Sequence, residues 1–141
     1  MPKFNQEHYE AYDQKAKDVL RNYLDEKGIY SRIQEDYGPD IKSVQEVFHE
    51  VEIKNSWKEE WPENWRSLHI PARKKKYMDD GKGNTQRVIF WVLNHFCDKA
   101  WTIDGKNLGD ELIESIPNGR YPEGEYFYNI PISELKLVKF N

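Results

Sequence analysis

A single cysteine, Cys97, stands among 141 residues, so the chain can form no intramolecular disulfide and build no thiolate cage for zinc or iron. Zinc fingers and CxxC redox sites are excluded. No stretch approaches the roughly 18 consecutive apolar residues of a membrane span. The opening Met1-Pro2-Lys3-Phe4-Asn5-Gln6 also has no apolar run of signal-peptide type. An intracellular, cytoplasmic protein with no membrane contact is the expectation. There is no internal repeat, low-complexity tract or linker, and the length suits one domain covering 1–141. Gly81-Lys82-Gly83-Asn84 lacks the following Lys-Ser/Thr of a phosphate-binding loop and reads as a turn. His8, His49, His69 and His95 have no metal-ligand spacing and read as structural. The net charge of -4 argues against a protein that coats nucleic acid through bulk charge.

What the chain does have is five Trp, nine Tyr and six Phe, enough large apolar side chains to offset the entropy of ordering a core. Tyr9, Tyr12, Ala16, Val19, Leu20, Tyr23 and Leu24 recur at helical spacing between Asn5 and Lys27, with Gly28 as the stop. A long amphipathic helix therefore opens the fold. A short β-prone stretch, Ile29–Gln34, precedes the turn-rich Glu35-Asp36-Tyr37-Gly38-Pro39. Two strands are expected next, Asp40–Val44 and Val47–Lys54, the second with His49, Val51 and Ile53 on one face and Glu50, Glu52 and Lys54 on the other. Val88–Leu93 reads as a buried central strand pairing with Lys99–Ile103, Ala72–Met78 and Leu108–Ile116 as short helices, and Glu125–Ile130 as a last strand before a weakly defined tail. The class is α/β with a central mixed β-sheet.

A tight hairpin centred near Glu46 would set Asp40 opposite Glu52 and Lys42 opposite Glu50, and opposed residues share a face. Asp40, Glu50, Glu52 and Lys54 would then project from one small area of sheet. Carboxylates so gathered suit a hard divalent cation such as Mg²⁺ or Mn²⁺, which takes one or two of them with water and substrate phosphate. Such an ion lowers the pKa of bound water and takes up charge on a phosphodiester, and Lys54 is placed to assist the attacking water. Glu50 is a further candidate for a second metal or for that water.

Pro39-Asp40 followed by Val51-Glu52-Ile53-Lys54, after a long helix and a strand, resembles the PD-(D/E)XK nuclease superfamily over roughly Asn5 to Leu93. The resemblance implies a restriction-endonuclease-like α-β-β-β-α-β core. It implies Asp40 and Glu52 as Mg²⁺ ligands, the backbone carbonyl of Ile53 as a further ligand, and Lys54 as the catalytic lysine. Many members add an acid from the first helix; Glu7 and Glu10 are available, and the sequence selects neither. The function implied is metal-dependent DNA cleavage, in the manner of a small stand-alone endonuclease of phage or mobile-element type, with a homodimer as the form in which two strands meet two sites.

Arg73-Lys74-Lys75-Lys76, with Lys82 and Arg87 outweighing Asp79 and Asp80, marks a positive patch in the place of the superfamily's second core helix, and a nucleic-acid contact is expected there. Trp57, Trp61 and Trp65 could stack on bases, but tryptophans near Pro62 more often pin a loop to the core, and packing is the reading for at least two of them. The plain reading of the acidic face is an exposed hairpin with cross-strand ion pairs, Lys42 to Glu50 and Lys54 to either acid. The competing functions are thus a non-catalytic module of nuclease-like fold that uses the acidic hairpin for protein contacts, and a nucleic-acid binder that uses residues 73–76 without chemistry.

Overall fold

The computed structural model describes residues 6–34, 38–116 and 124–140, with side chains of the first helix from Asp13 onward. Helix α1 spans Gln6–Glu26 and buries Ala16, Leu20 and Leu24, one stripe at a spacing of four. Its end follows from Gly28, at φ +75, where only glycine is unstrained; the N–H of Ile29 then reaches back to the carbonyl of Leu24 at 2.8 Å. Tyr9 and Tyr12, and the acids Glu7 and Glu10, lie outside the described side chains.

Among the described residues nine strands follow: β1 (Ser31–Ile33), β2 (Ile41–Ser43), β3 (Val47–Lys54), β4 (Ser67–Pro71), β5 (Val88–Asn94), β6 (Lys99–Asp104), β7 (Ile113–Ile116), β8 (Glu125–Pro131) and β9 (Lys136–Lys139). They make a six-stranded sheet in the order β1-β2-β3-β5-β6-β9 and a three-stranded sheet in the order β4-β8-β7. The large sheet is mixed, because β3 runs parallel to β5 while every other pair is antiparallel. The α/β class with a mixed sheet is therefore as expected. Among the described residues no helix is long and apolar enough to cross a membrane.

The two faces of the large sheet bury different things. Ile41, Val51, Trp91, Leu93 and Ala100 pack against α1. Val88, Phe90, Val92 and Ile103 pack instead against Leu68, Ile70, Tyr128 and Ile130 of the small sheet. β5 is buried on both faces, as its unbroken run of apolar residues requires.

Three expectations need correction. Leu108–Ile116 is not a helix: a 3-10 turn at Asp110–Leu112 leads into β7, because β-branched Ile113 and Ile116 gain a partner strand in β8. The tryptophan-rich loop, read from sequence as irregular over Asn55–Leu68, gives way at Ser67 to an unexpected strand, β4, whose Leu68 and Ile70 point inward and His69 outward. The tail is ordered by pairing, since β9 adds to β6 although Val138 is its one buried side chain. Ala72–Met78 is the short helix expected, with the same bounds and of 3-10 type, so among the described residues α1 is the one α-helix.

Candidate functional site

Pro39 has no N–H to give a ladder, and the pairing of β2 with β3 stops at Ile41 opposite His49. The next N–H of β3, on Val51, is taken instead by the Asp40 side chain, whose Oδ2 accepts it at 2.9 Å. The other oxygen, Oδ1, lies 3.6 Å from Nζ of Lys17 on α1, and that ammonium also meets Asp13 at 3.0 Å. The strands thus part at Asp40, and its carboxyl is fixed by both the sheet and the helix.

The register differs from expectation by one pair. Lys42 lies opposite Phe48, and continuing the ladder sets Asp40 level with Glu50 rather than Glu52. The turn, Val44–Glu46, centres one residue earlier, on Gln45, where Gln45 and Glu46 both take positive φ, +64 and +58, which neither residue type signals. A shift of two residues leaves every side chain on its own face, so Glu50, Glu52 and Lys54 still share a face with Asp40 level with Glu50. Asp40 comes within hydrogen-bond reach of Glu50.

Beside β3, the parallel strand sets Phe90 next to Glu50 and Val92 next to Glu52. With Ile70 from the small sheet they wall a narrow cleft. Its floor is charged: the ammonium of Lys74 sits 3.3 Å from Glu50 and 3.1 Å from Glu52. In a 3-10 run side chains three apart share a side, so Lys74 and Tyr77 turn inward while Arg73 and Lys76 turn outward. Glu50 is 6% exposed and Lys74 8%. Burial, and the Asp40 carboxyl beside it, push the Glu50 carboxyl up to about 8 against the opposing pull of Lys74. Burial by itself would depress the Lys74 ammonium, but Glu52 and Glu50 more than offset it and its pKa is raised.

A carboxyl held this far above its ordinary range destabilises the protein at neutral pH, because the unfolded chain has no reason to keep that proton. Glu50→Gln is therefore expected to stabilise the metal-free protein at pH 7 by on the order of 2 kcal/mol, read as a higher denaturant midpoint at unchanged slope. A lower midpoint would show that the ion pair with Lys74 outweighs the crowding with Asp40.

The other expected site residues are placed as follows. Lys54 is on the acidic face, one alternation beyond Glu52, with its ammonium 5.2 Å from the Trp65 ring centre rather than on either acid. Ile53 lies on the opposite face, its side chain in the α1 core and its main chain in the ladder beside Leu93. Lys42 lies over the Phe48 ring, so neither expected cross-strand ion pair forms. The basic run does not make one surface: Lys74 is buried among the acids, exposed Lys75 meets Asp110 at 2.7 Å, and exposed Arg73 approaches Glu125 at 3.9 Å. Lys74 and Lys17 are the residues that sequence spacing missed as members of the site, since each pairs with an acid more than twenty positions away. Trp57 is fully buried, edge-on to Trp61 and stacked with Trp101, and Trp61 packs edge-on to Trp65, so the cluster pins its loop as expected.

One serine–histidine contact has a catalytic look and a structural explanation. Nδ1 of His49 accepts a hydrogen bond from the Trp91 indole at 3.0 Å, so the ring proton is on Nε2 and is given to Oγ of Ser43 at 2.9 Å. Ser43 passes its own proton to the carbonyl of Val47. A histidine that donates to the hydroxyl cannot act as its base, and the group is a buried strut under the hairpin.

Among the described residues no three His, Cys, Asp or Glu side chains are gathered closely enough to hold a metal ion as they stand. The donor chemistry nevertheless fits a hard cation: oxygen donors only, with Asp13, Asp40, Glu50 and Glu52 in contact with two ammonium groups, those of Lys17 and Lys74. Comparisons of the chain with protein-family models, with curated proteins and with solved structures found no match.

Proposed function

We propose that the chain is a metal-dependent nuclease with a restriction-endonuclease-like core, cutting phosphodiester bonds in DNA. The observation that carries the reading is the excess of carboxyl groups where β2 and β3 part. Glu50 and Glu52 line a cleft with an apolar wall and Asp40 stands beside Glu50, three carboxyls to two ammonium groups, so that Glu50 keeps a proton where a cation could take its place. A buried excess of negative charge is costly unless a cation completes it. Mg²⁺ or Mn²⁺ bound there would supply a water of lowered pKa and a positive charge beside the phosphoryl oxygens.

Asp40 and Glu52 are the residues that would hold the ion, with Glu50 between them and the Ile53 carbonyl as a further oxygen. Lys17 and the Val51 N–H fix the orientation of Asp40, which reduces the ordering cost of binding. Phe90, Val92 and Ile70 exclude water on one side and strengthen each electrostatic contact inside the cleft. Lys54 extends along the same face, with a stem long enough to bring its ammonium from Trp65 toward an attacking water or a phosphate. Arg73, Lys75 and Lys76 are exposed on the same 3-10 run that sends Lys74 into the cleft, and a phosphate backbone would meet them from solvent.

A second reading also has an observation behind it. The Lys74 triad is a satisfied ion network, which suits a non-catalytic module of the same fold. Calorimetry with Mn²⁺ on wild type and Glu52→Ala, followed by incubation of the same samples with supercoiled plasmid, separates the two. Heat and nicking in the wild type alone are expected. Silence in both proteins would reject the nuclease and leave the network as structure.

A further inference from the structure

The strongest unexplained feature of the cleft is a cation in the wrong place. Lys74 is one of four consecutive basic residues, and its neighbours Arg73, Lys75 and Lys76 are exposed. It alone turns inward, 8% exposed, and spans Glu50 and Glu52 at 3.3 and 3.1 Å. An ammonium bridging two carboxylates stands where a divalent ion would draw them together. Both cannot occupy that space, and like charges at such range repel strongly in an apolar surround. The run that carries Lys74 is 3-10, a geometry with poorer hydrogen bonds than the α-helix and one that marks hinges. Its side chain is also the most adaptable cation available, a point charge on four rotatable carbons.

We propose that Lys74 is a tethered counter-ion that keeps the acidic cleft closed and that a divalent metal ion displaces it. Before metal binds, the ammonium offsets part of the carboxylate charge and holds Glu50 and Glu52 at a fixed separation, protecting the cleft from adventitious binding of cations. When Mg²⁺ or Mn²⁺ enters, Glu50 gives its proton to solvent, and Glu52 and Glu50 transfer from Lys74 to the ion. The freed ammonium moves outward to join Arg73, Lys75 and Lys76, so metal loading adds a positive charge to the surface that a phosphate backbone would meet. Arg73 and Lys75 already face Glu125 and Asp110, so the freed Lys74 is the charge that metal loading adds there. This inference rests on the metal-site reading above and adds to it the regulation of that site.

The test reads Lys74 itself in the wild-type protein. Brief labelling with an amine-reactive ester, followed by peptide mass spectrometry, is run with EDTA and with saturating Mg²⁺, taking the exposed Lys75 as internal reference. Lys74 is expected to be protected without metal and to gain reactivity tenfold or more, relative to Lys75, with it. Calorimetry on Lys74→Gln supplies the second arm: with the competitor removed, the dissociation constant for Mn²⁺ should fall about tenfold, near 1.4 kcal/mol. Metal binding with Lys74 still protected, or Lys74→Gln binding Mn²⁺ no more tightly than wild type, overturns the displacement while leaving the metal site intact. No heat of Mn²⁺ binding in either protein overturns the metal site and the displacement together.

Discussion

Asp40→Asn is expected to lower Mg²⁺-dependent nicking of supercoiled plasmid by about 10³-fold or more while leaving the protein folded. The amide oxygen can still accept the N–H of Val51, so the parting of β2 from β3 survives. What is lost is the charge that would hold the ion and that now faces Lys17. Glu52→Gln should act alike, because it removes the more exposed of the two acids on Lys74. Lys54→Ala should cost about 10²-fold, with metal affinity unchanged, since its ammonium stands apart from the acids over Trp65. EDTA should silence the wild type. Nicking that survives both carboxylate substitutions would place the chemistry elsewhere or remove it from this protein.

The second large effect is on stability and comes from His49. Burial, and then the Arg87 charge, hold its imidazole down at about 4, well below its ordinary value of 6.5. Between those limits the unfolded chain binds a proton that the native protein refuses, so stability falls as pH drops from 6.5 to 4, by about 3 kcal/mol in all. Glu50 works in the opposite sense. Its carboxyl, raised to about 8, is protonated in the native state and ionised in the unfolded one, so its contribution is full below 4.5 and is lost as pH rises through 8.

The two slopes oppose each other from pH 4.5 to 6.5, and the wild type should be nearly flat there. Denaturant titrations across this range are therefore informative in two backgrounds. Glu50→Gln should expose the histidine slope, with stability rising toward pH 6.5. His49→Asn should expose the carboxyl slope, with stability falling as pH rises. A flat profile in the Glu50→Gln background would mean that the imidazole is protonated in the fold and that the Ser43–His49–Trp91 strut is absent in solution.

Periodicity made the local elements legible. The stripe Ala16, Leu20, Leu24 and the apolar run of β5 bury the faces they announce, and the alternation through Val47–Lys54 assigns its two faces although Glu50 of the acidic face is buried as well, because a helix or strand has one period and little freedom to hide it. The strands with weak patterns were not legible. β4 sits behind a tryptophan-rich loop whose composition obscures its alternation, and β9 owes its order to β6, a partner that local sequence does not carry.

Within the candidate site the division has the same cause. Asp40, Glu50, Glu52 and Lys54 could be assigned to one face from the sequence, and a two-residue error in register did not move them, since the side-chain period of a strand is two. Distance along the chain concealed the rest. Lys17 reaches Asp40 from α1, and Lys74 reaches Glu50 and Glu52 from a turn beyond β4, contacts that exist only once the helix and the small sheet have packed. The sequence by itself determined which face of β3 is acidic and that β5 is buried. Tertiary packing decided that the acids lie against an apolar wall, that the cation between them is Lys74 rather than Lys54, and that a run reading as surface charge turns one of its lysines inward. Periodicity is a property of neighbours in the chain, whereas burial and charge pairing belong to neighbours in space.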